Sequence, residues 1–509
     1  MTDLTGIWRT LPLGSLLREP LRNGHSAKAS GSKHGLPTLT LTAVTNGDFS
    51  DSNIKQTVAE PNKVRQLWIQ PGDIFIQRSN TPALVGTARL YRGAPNLAIF
   101  PDLLIRVRLN DDADPRYVEA FLQSPIARAY FTKRAQGIAG SMPKIDQAAI
   151  EALPIPLATK PEQLRVVEEI EKQLTRIEAG VAALKRVQAN LKRYRASVLK
   201  AACEGHLVPP EAELARRESR DYEPASVLLQ RILKERRRHW EASELAKLKA
   251  KGKPPTDDRW KARYRTPEEP NTAGLPELPA GWCWSAVEQL CESVTDGDHQ
   301  PPPQVENGIP FLVIGNIRDG TVNLEDCRFV SEEYFRALDP ARSPRRGDVL
   351  YSVTGSFGLT VLVEDDTHFC VQRHIAILRP SPGVAARYLV RALSSNAVFR
   401  AASAIATGTA QKTVPLTGLR RLAVPLPPGT EQQRIADEID RRFTLLGALE
   451  KSVSANQRRA NGLRQSLLGA AFEGKLVPPA SLPFASVASA TPDVAKRGKR
   501  PTAAELSDV

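Results

Sequence analysis

Leu153–Pro210 reads LPIPLATKPEQLRVVEEIEKQLTRIEAGVAALKRVQANLKRYRASVLKAACEGHLVPP, and Leu422–Pro479 reads LAVPLPPGTEQQRIADEIDRRFTLLGALEKSVSANQRRANGLRQSLLGAAFEGKLVPP. The two align without a gap at an offset of about 270 residues with roughly four positions in ten identical, so the chain is a two-copy duplication and not a solenoid. In the first copy Val167, Ile170, Leu174, Ile177, Val181 and Leu184 fall alternately three and four apart, and Leu191, Tyr194 and Val198 continue the stripe. This is the seam of a coiled coil, with Lys, Arg and Glu on the other faces. The second copy repeats it with Ile435, Ile439, Phe443, Leu446, Leu449, Val453, Leu463 and Leu467. Pro161 and Glu162 suit a helix start, and Gly205 with Pro209-Pro210 ends the run. About 40 residues at a rise of 1.5 Å make a rod of about 60 Å. Because one chain carries both helices, antiparallel pairing within the chain is favoured over homodimerisation by the high effective concentration. The expected pairing residues are Ile170, Leu174, Ile177, Val181, Leu184 and Leu191 on the first helix, and Ile439, Phe443, Leu446, Val453 and Leu463 on the second.

Each helix closes a different upstream stretch of about 150 residues, the usual size of one domain. In the first head, LPTLTLTAV, WIQPGDIFIQRSN and FPDLLIRVRL are β-rich runs broken by turn residues. A helix is expected over Pro115–Arg134, with Tyr117, Phe121, Ile126 and Tyr130 at helical spacing. The second head echoes the first in order. GIPFLVIGNIRDG matches GLPTLTLTAVTNGDF, RRGDVLYSV matches QPGDIFIQR, VQRHIAILRP matches FPDLLIRVRL, and Gly408–Lys412 matches Gly140–Lys144. The scaffold repeats while the residues between strands diverge, as expected of two readers with different targets. The reading is an α+β chain of two heads with β-rich cores separated by two long helices that pair as an antiparallel coiled coil. The expected boundaries are 1–157 for head 1, 158–208 for the first spacer helix, 209–275 for a basic hydrophilic connector, 276–426 for head 2, 427–479 for the second spacer helix and 480–509 for a disordered basic tail. Within the connector, Arg236-Arg237-Arg238 is either a solvated helix face or a phosphate or partner contact.

The 509 residues carry 70 Lys and Arg against 56 Asp and Glu, a net charge of +14. That excess favours a polyanionic partner, chiefly nucleic acid. No apolar run approaches the roughly 20 residues of a membrane span, and the N-terminus does not read as a signal peptide, so a cytoplasmic location is expected. The five scattered cysteines (Cys203, Cys283, Cys291, Cys327, Cys370) contain no CxxC pair and read as reduced thiols.

Catalytic patterns are missing from the sequence. There is no GxxxxGK[ST], no HExxH and no [DN]PP[YF] tetrapeptide. Thr354–Gly358 (TGSFG) reads as a turn, His299 as a polar loop histidine, and the pairs Asp111-Asp112, Asp257-Asp258 and Asp365-Asp366 as turn and surface residues. No catalytic, metal or cofactor residue is assigned. What remains is binding chemistry, because phosphates need Lys and Arg while base edges need polar side chains presented from loops. The DNA-binding candidates are Arg78, Ser79, Asn80, Lys133, Arg134 and Lys144 in the first head, and Asn316, Arg318, Thr354, Ser356, Gln372, Arg373, His374, Gln411 and Lys412 in the second.

These residues together resemble the DNA-specificity subunit of type I restriction–modification enzymes. The resemblance rests on the PLxxxxEQxxI-type start of each helix (Leu157–Ile170 and Leu426–Ile435), the repeated EGxLVPP, the LPELPAGW before head 2 and the GDI and GDV strands. It covers nearly the whole chain. Head 1 departs from it in having only Gly6-Ile7-Trp8 at its opening, and the first helix has Leu164-Arg165-Val166 after Glu162-Gln163. The resemblance implies two target-recognition domains, each reading one half of a split, asymmetric site in double-stranded DNA. It implies paired helices that set the spacing and dock two adenine-N6 methyltransferase (modification) subunits, joined by restriction/translocase subunits. S-adenosylmethionine, ATP and Mg are then expected on those partners, with no cofactor and no catalysis in this chain. Half-sites about one helical turn apart, ~34 Å, fit a spacer of that length. The alternatives are a coiled-coil scaffold that binds nucleic acid by charge alone, and the specificity subunit of a related restriction system outside type I.

Overall fold

Both long helices form, over Lys160–Cys203 and Gly429–Phe472. The computed structural model describes residues 8–26, 28–29, 35–137, 142–252, 255–299, 302–318 and 320–477; the expected tail, 480–509, and the Gly6-Ile7 pair lie outside the described residues. The chain divides into two units, Met1–Ala183 with Asn456–Val509, and Leu184–Ala455. Each unit thus holds one head and one half of each long helix.

In the first unit Val166, Val167 and Ile170 share a core with Leu468, Ala471 and Phe472. The Phe472 ring stands edge-on to Tyr117 at 5.1 Å and to Phe121 at 5.0 Å, so the end of the second helix closes the core of head 1. Farther along, Arg464 lies 3.8 Å from Glu178. In the second unit Leu191 packs with Leu446 and Val453, Arg195 pairs with Glu450 at 3.3 Å, and Ile435 and Ile439 enter the core of head 2 beside Val198, Leu199 and Cys203. Numbers rise on one helix as they fall on the other, so the helices pair antiparallel. Of the expected pairing residues, Leu463 is a correction: it is 55% exposed, and Leu468, at 1%, holds the seam instead. Leu174, Ile177, Val181, Leu184 and Phe443 are half-buried.

The heads share the topology of their main sheet. Head 1 has a four-stranded sheet in the order Arg22–Asn23, Leu104–Val107, Ile74–Gln77, Ala88–Leu90; head 2 has Cys291–Asp296, Ile375–Pro380, Val349–Ser352, Thr360–Leu362. All pairs within both sheets are antiparallel. Each head has a three-stranded second sheet, and head 2 adds the two-stranded pair Ile317–Arg318 with Thr321–Val322. Each head is closed by a strand pair that feeds a long helix: Arg9–Pro12 with Pro154–Leu157, and Cys283–Ala286 with Ala423–Leu426. Trp8 and Trp282 precede the first strand of each pair and are both buried. The short GIW opening of head 1 therefore puts its tryptophan where LPAGW puts Trp282.

The glycine–aspartate motif is explained by what its aspartate touches. Gly72 and Gly347 take φ of 93° and 90°, the left-handed conformation that favours glycine. The next residue then turns its carboxylate back onto the sheet. Asp73 Oδ2 accepts the Gln70 N–H at 2.9 Å and Asp73 pairs with Arg108; Asp348 Oδ2 accepts the Arg345 N–H at 3.0 Å and pairs with Arg379 at 2.8 Å. The EGxLVPP exits act alike: Gly205 and Gly474 take φ of 72° and 70°, with His206 N–H bonded to Ala201 O and Lys475 N–H to Ala470 O, a Schellman-type cap.

Two expected elements differ. LPTLTLTAV is a strand only over Leu36–Leu39; Leu41–Asn46 is a helix capped by Gly47 at φ 69°. The helix over Pro115–Arg134 is two helices, Pro115–Leu122 and Pro125–Arg134, because the residue before a proline is kept out of the helical region and Ser124 caps the second. The connector holds a helix at Ala225–Ala250. Within its basic triplet, Arg236 bonds Cys291 O at 2.9 Å and so works inside the fold, while Arg237 pairs with Glu241 on the exposed face of the helix.

Candidate nucleic-acid interface

The central strands of each four-stranded sheet end in a loop cluster. In head 2, the Val353 N–H donates to His374 O at 2.9 Å and Val414 N–H to Val353 O at 2.8 Å. Thr354 bridges to Thr413, and Thr407 and Thr413 exchange two 2.8 Å backbone bonds, closing a hairpin whose tip, Gly408–Lys412, is exposed. TGSFG is a turn, with Gly355 and Gly358 at φ 66° and 86°. These pieces enclose an open cleft of about 400 Å³ lined by Asp296, His299, Thr354, Arg373, His374 and Gln411.

Head 1 builds the same frame from other residues. The Arg78 N–H donates to Leu103 O at 2.8 Å, Ile145 N–H to Arg78 O at 2.9 Å, and Gln136 and Lys144 exchange backbone bonds while Lys144 bridges Ser79. Head 1 also has a cleft of about 360 Å³ beside its second small sheet, lined by His25, Thr38, Thr40, Lys55, Asp102 and Leu103 and not by Arg78, Ser79, Lys144 or Ile145. Ile145 occupies the place of Val414, so Lys144 is the counterpart of Thr413. The expected match of Gly140–Lys144 to Gly408–Lys412 is therefore one residue out, and Gly140 and Ser141 lie outside the described residues.

The structure sorts the sequence candidates. Asn316 is a correction: it is buried, its Oδ1 accepts the Val313 N–H and its Nδ2 donates to Asn323 O, so it fastens its own turn. Ser79 is fully buried, Thr354 is buried against Thr413, and Asn80 is held by Gln77 Oε1 at 2.7 Å and by the Thr81 N–H. The side chain of Arg318 lies outside the described residues. Exposed or half-exposed are Arg78, Lys133, Arg134 and Lys144 in head 1, and Ser356, Gln372, Arg373, His374, Gln411 and Lys412 in head 2, of which Arg373, His374 and Gln411 line the head 2 cleft. None of the six cations in this set has an acidic side chain within 4.0 Å among the described residues, whereas Arg195, Arg434, Arg441, Arg442 and Arg464 of the long helices are paired. Arg134 stacks on Tyr130 at 3.8 Å, which stiffens it.

In head 2, the Arg373 Nε donates to His374 Nε2 at 3.3 Å. Partial burial, and then Arg373, hold the His374 pKa below the ordinary histidine value, so the ring stays neutral at neutral pH. His299 Nε2 lies 3.0 Å from Asp296 Oδ2, with Arg342 on the other carboxylate oxygen at 3.5 Å. No group of three metal-ligating side chains occurs among the described residues. No helix of the described residues is long and apolar enough to cross a membrane.

Sequence reasoning missed His25, Lys55 and Asp102. Their signal was the alignment of Asn23-Gly24 with Asp296-Gly297, where a side chain cannot fit. A Cβ on Gly24 would sit 2.2 Å from Phe100 O, and one on Gly297 1.9 Å from Val371 O. That pairing sets Pro101-Asp102-Leu103 opposite Gln372-Arg373-His374.

Residues 299–455 match the family described as the type I restriction modification DNA specificity domain. Along 92% of its length the chain is 22% identical to the specificity subunit of the type I restriction enzyme EcoBI of Escherichia coli, covering 86% of that protein. Over 40% of its length it is 32% identical to the EcoKI specificity subunit of Escherichia coli strain K12, covering 43% of that protein. A solved structure reported as "Structural basis underlying complex assembly and conformational transition of the type I R-M system" shares the fold, with a TM-score of 0.57 and 18% identity over 93% of this chain and all of that one.

Proposed function

We propose, for a chain that belongs to the DNA specificity-subunit family of type I restriction–modification systems, that it supplies the address of the complex, head 1 reading one half of a split, asymmetric site in double-stranded DNA and head 2 the other. The observation that carries this reading is one frame with two linings. The strand order of the main sheet and the turn bonds match, while Pro101-Asp102-Leu103 in head 1 holds the place that Gln372-Arg373-His374 holds in head 2. Unpaired cations exposed on the heads fit phosphates, and polar side chains lining the clefts fit base edges. A surface that bound DNA by charge alone would have no use for two different linings.

The paired helices are the spacer in this proposal, and they dock two adenine-N6 methyltransferase subunits, with restriction/translocase subunits added to that core. Val187, Leu445, Leu449 and Leu463 are each more than 40% exposed on those helices, apolar surface of the kind that partners cover. S-adenosylmethionine, ATP and Mg belong to those partners, in the cytoplasm, and this chain is not itself an enzyme. The test is single-molecule methylome sequencing of a host carrying the gene with its neighbouring methyltransferase, against a deletion of this gene alone. Loss of N6-methyladenine at one split, asymmetric motif is expected. Survival of every methylated motif would contradict the proposal and favour a scaffold that binds by charge.

A further inference from the structure

Resting on the reading that each head binds one half-site, we infer that Arg373 reads a guanine in the half-site of head 2, and that Asp102 reads the exocyclic amino group of a cytosine or an adenine in the half-site of head 1. The two residues hold the same place. Each lies in the turn after the glycine-packed backbone, one residue before the carbonyl that accepts from the strand opposite, Leu103 O in head 1 and His374 O in head 2. At that one position the hydrogen-bonding sense is reversed.

Asp102 is half-exposed at its cleft and has neither a hydrogen-bond donor nor an ion-pair partner among the described residues. An ionised carboxylate accepts hydrogen bonds and donates none. Lys55 lines the same cleft without pairing to it. In the major groove the amino groups are cytosine N4 and adenine N6, and these are the donors a carboxylate can take. Guanine O6 and N7 and thymine O4 would meet it lone pair to lone pair.

Arg373 offers only donors. Its Nε is spent on His374 Nε2, which leaves both terminal nitrogens for the fork that guanine O6 and N7 accept. With its ring proton on Nδ1, beside the Gln372 amide, neutral His374 accepts at Nε2 and orients the guanidinium without repelling it. Gln411, from the hairpin tip, lines the same cleft and would bear on a neighbouring position.

The test uses the complex of the full chain with its methyltransferase, on duplexes carrying the methylome-defined site. Each guanine is replaced in turn by 7-deazaguanine, each cytosine by uracil, and each adenine by purine, which lacks the amino group. One deazaguanine is expected to weaken binding, by less than the roughly 5- to 150-fold worth of a whole bidentate contact because O6 is kept. One uracil or one purine substitution in the other half-site is expected to weaken binding as well, and which of the two does so distinguishes cytosine from adenine. Arg373→Ala should abolish the first sensitivity and leave the second, and Asp102→Ala the reverse. A half-site without a sensitive guanine, or sensitivity that persists in the variants, would overturn the inference. The analogue scan on the unaltered complex decides the matter even where a variant fails to assemble. A complex that does not distinguish its site from a scrambled duplex would instead overturn the two-half-site reading beneath it.

Discussion

Gln163 and Gln432 are fully buried, and each stitches the start of a long helix to its own head. Gln163 Oε1 accepts the Asp114 N–H at 2.7 Å while its Nε2 donates to Asp112 O and Ala158 O, both at 2.9 Å. Gln432 Oε1 accepts the Ala385 N–H at 2.8 Å and its Nε2 donates to Pro427 O at 3.0 Å. Truncation to alanine strands buried backbone groups, at a cost of roughly 1–3 kcal/mol. Gln432→Ala is expected to lower the urea midpoint of head 2, and Gln163→Ala to destabilise head 1 by more, since it breaks three bonds; hydrogen exchange of each head in urea checks both. The ion pair of Asp348 with Arg379 is also buried, and Asp348→Ala should cost about 3–5 kcal/mol because it leaves a buried arginine unpaired. A midpoint unchanged within error in either series would refute these roles. The Glu-Gln repeat was plain in the sequence, yet its purpose was not, because the partners lie about 50 residues away on an element no periodicity links to it.

At the scale of elements the two halves of the coiled coil differ. Phe443 lies between Arg195, at 4.4 Å, and Arg391, at 5.1 Å from the ring centre. Leu174 holds the matching place in the other unit and lines a polar cleft of about 500 Å³. Phe443→Leu is expected to cost about 1–2 kcal/mol, since each half-exposed cation–π contact is worth about 0.5–1 kcal/mol, whereas Leu174→Ile should be nearly neutral; paired thermal melts check the contrast. Removing one heptad from 161–201 is expected to change the accepted spacer or abolish DNA binding, and unchanged specificity would sink the spacer role. The seam and its antiparallel pairing were legible because both stripes are apolar and lie on one chain. The failure at Leu463 is physical: a straight helix drifts by about 20° per heptad, so a leucine several turns beyond Ile439 has rotated out of the seam. The split at Ser124-Pro125 was signalled by the proline, and the helix at Leu41–Asn46 was hidden by residues of high strand propensity.

For the whole molecule, a net charge of +14 promises affinity and no address. The two contributions separate in a salt titration. Replacing Lys133 and Arg134 together by alanine should weaken all duplexes alike and reduce the slope of log affinity against log salt by about 2, while Arg373→Ala should change preference among sequences. Equal loss of preference in both variants would contradict the division between phosphate and base contacts. The frame of the clefts was legible from the repeated strands, but their linings were not, because Asp102 and His25 reach the cleft only through a turn packed on Gly24. The central claim is that each head reads its own half-site. Its most direct test is the methylome of a host whose chain has residues 276–426 replaced by the corresponding head of another family member. One half of the split motif is expected to persist and the other to change; loss or alteration of both halves together, in a chain that still directs methylation, would contradict it.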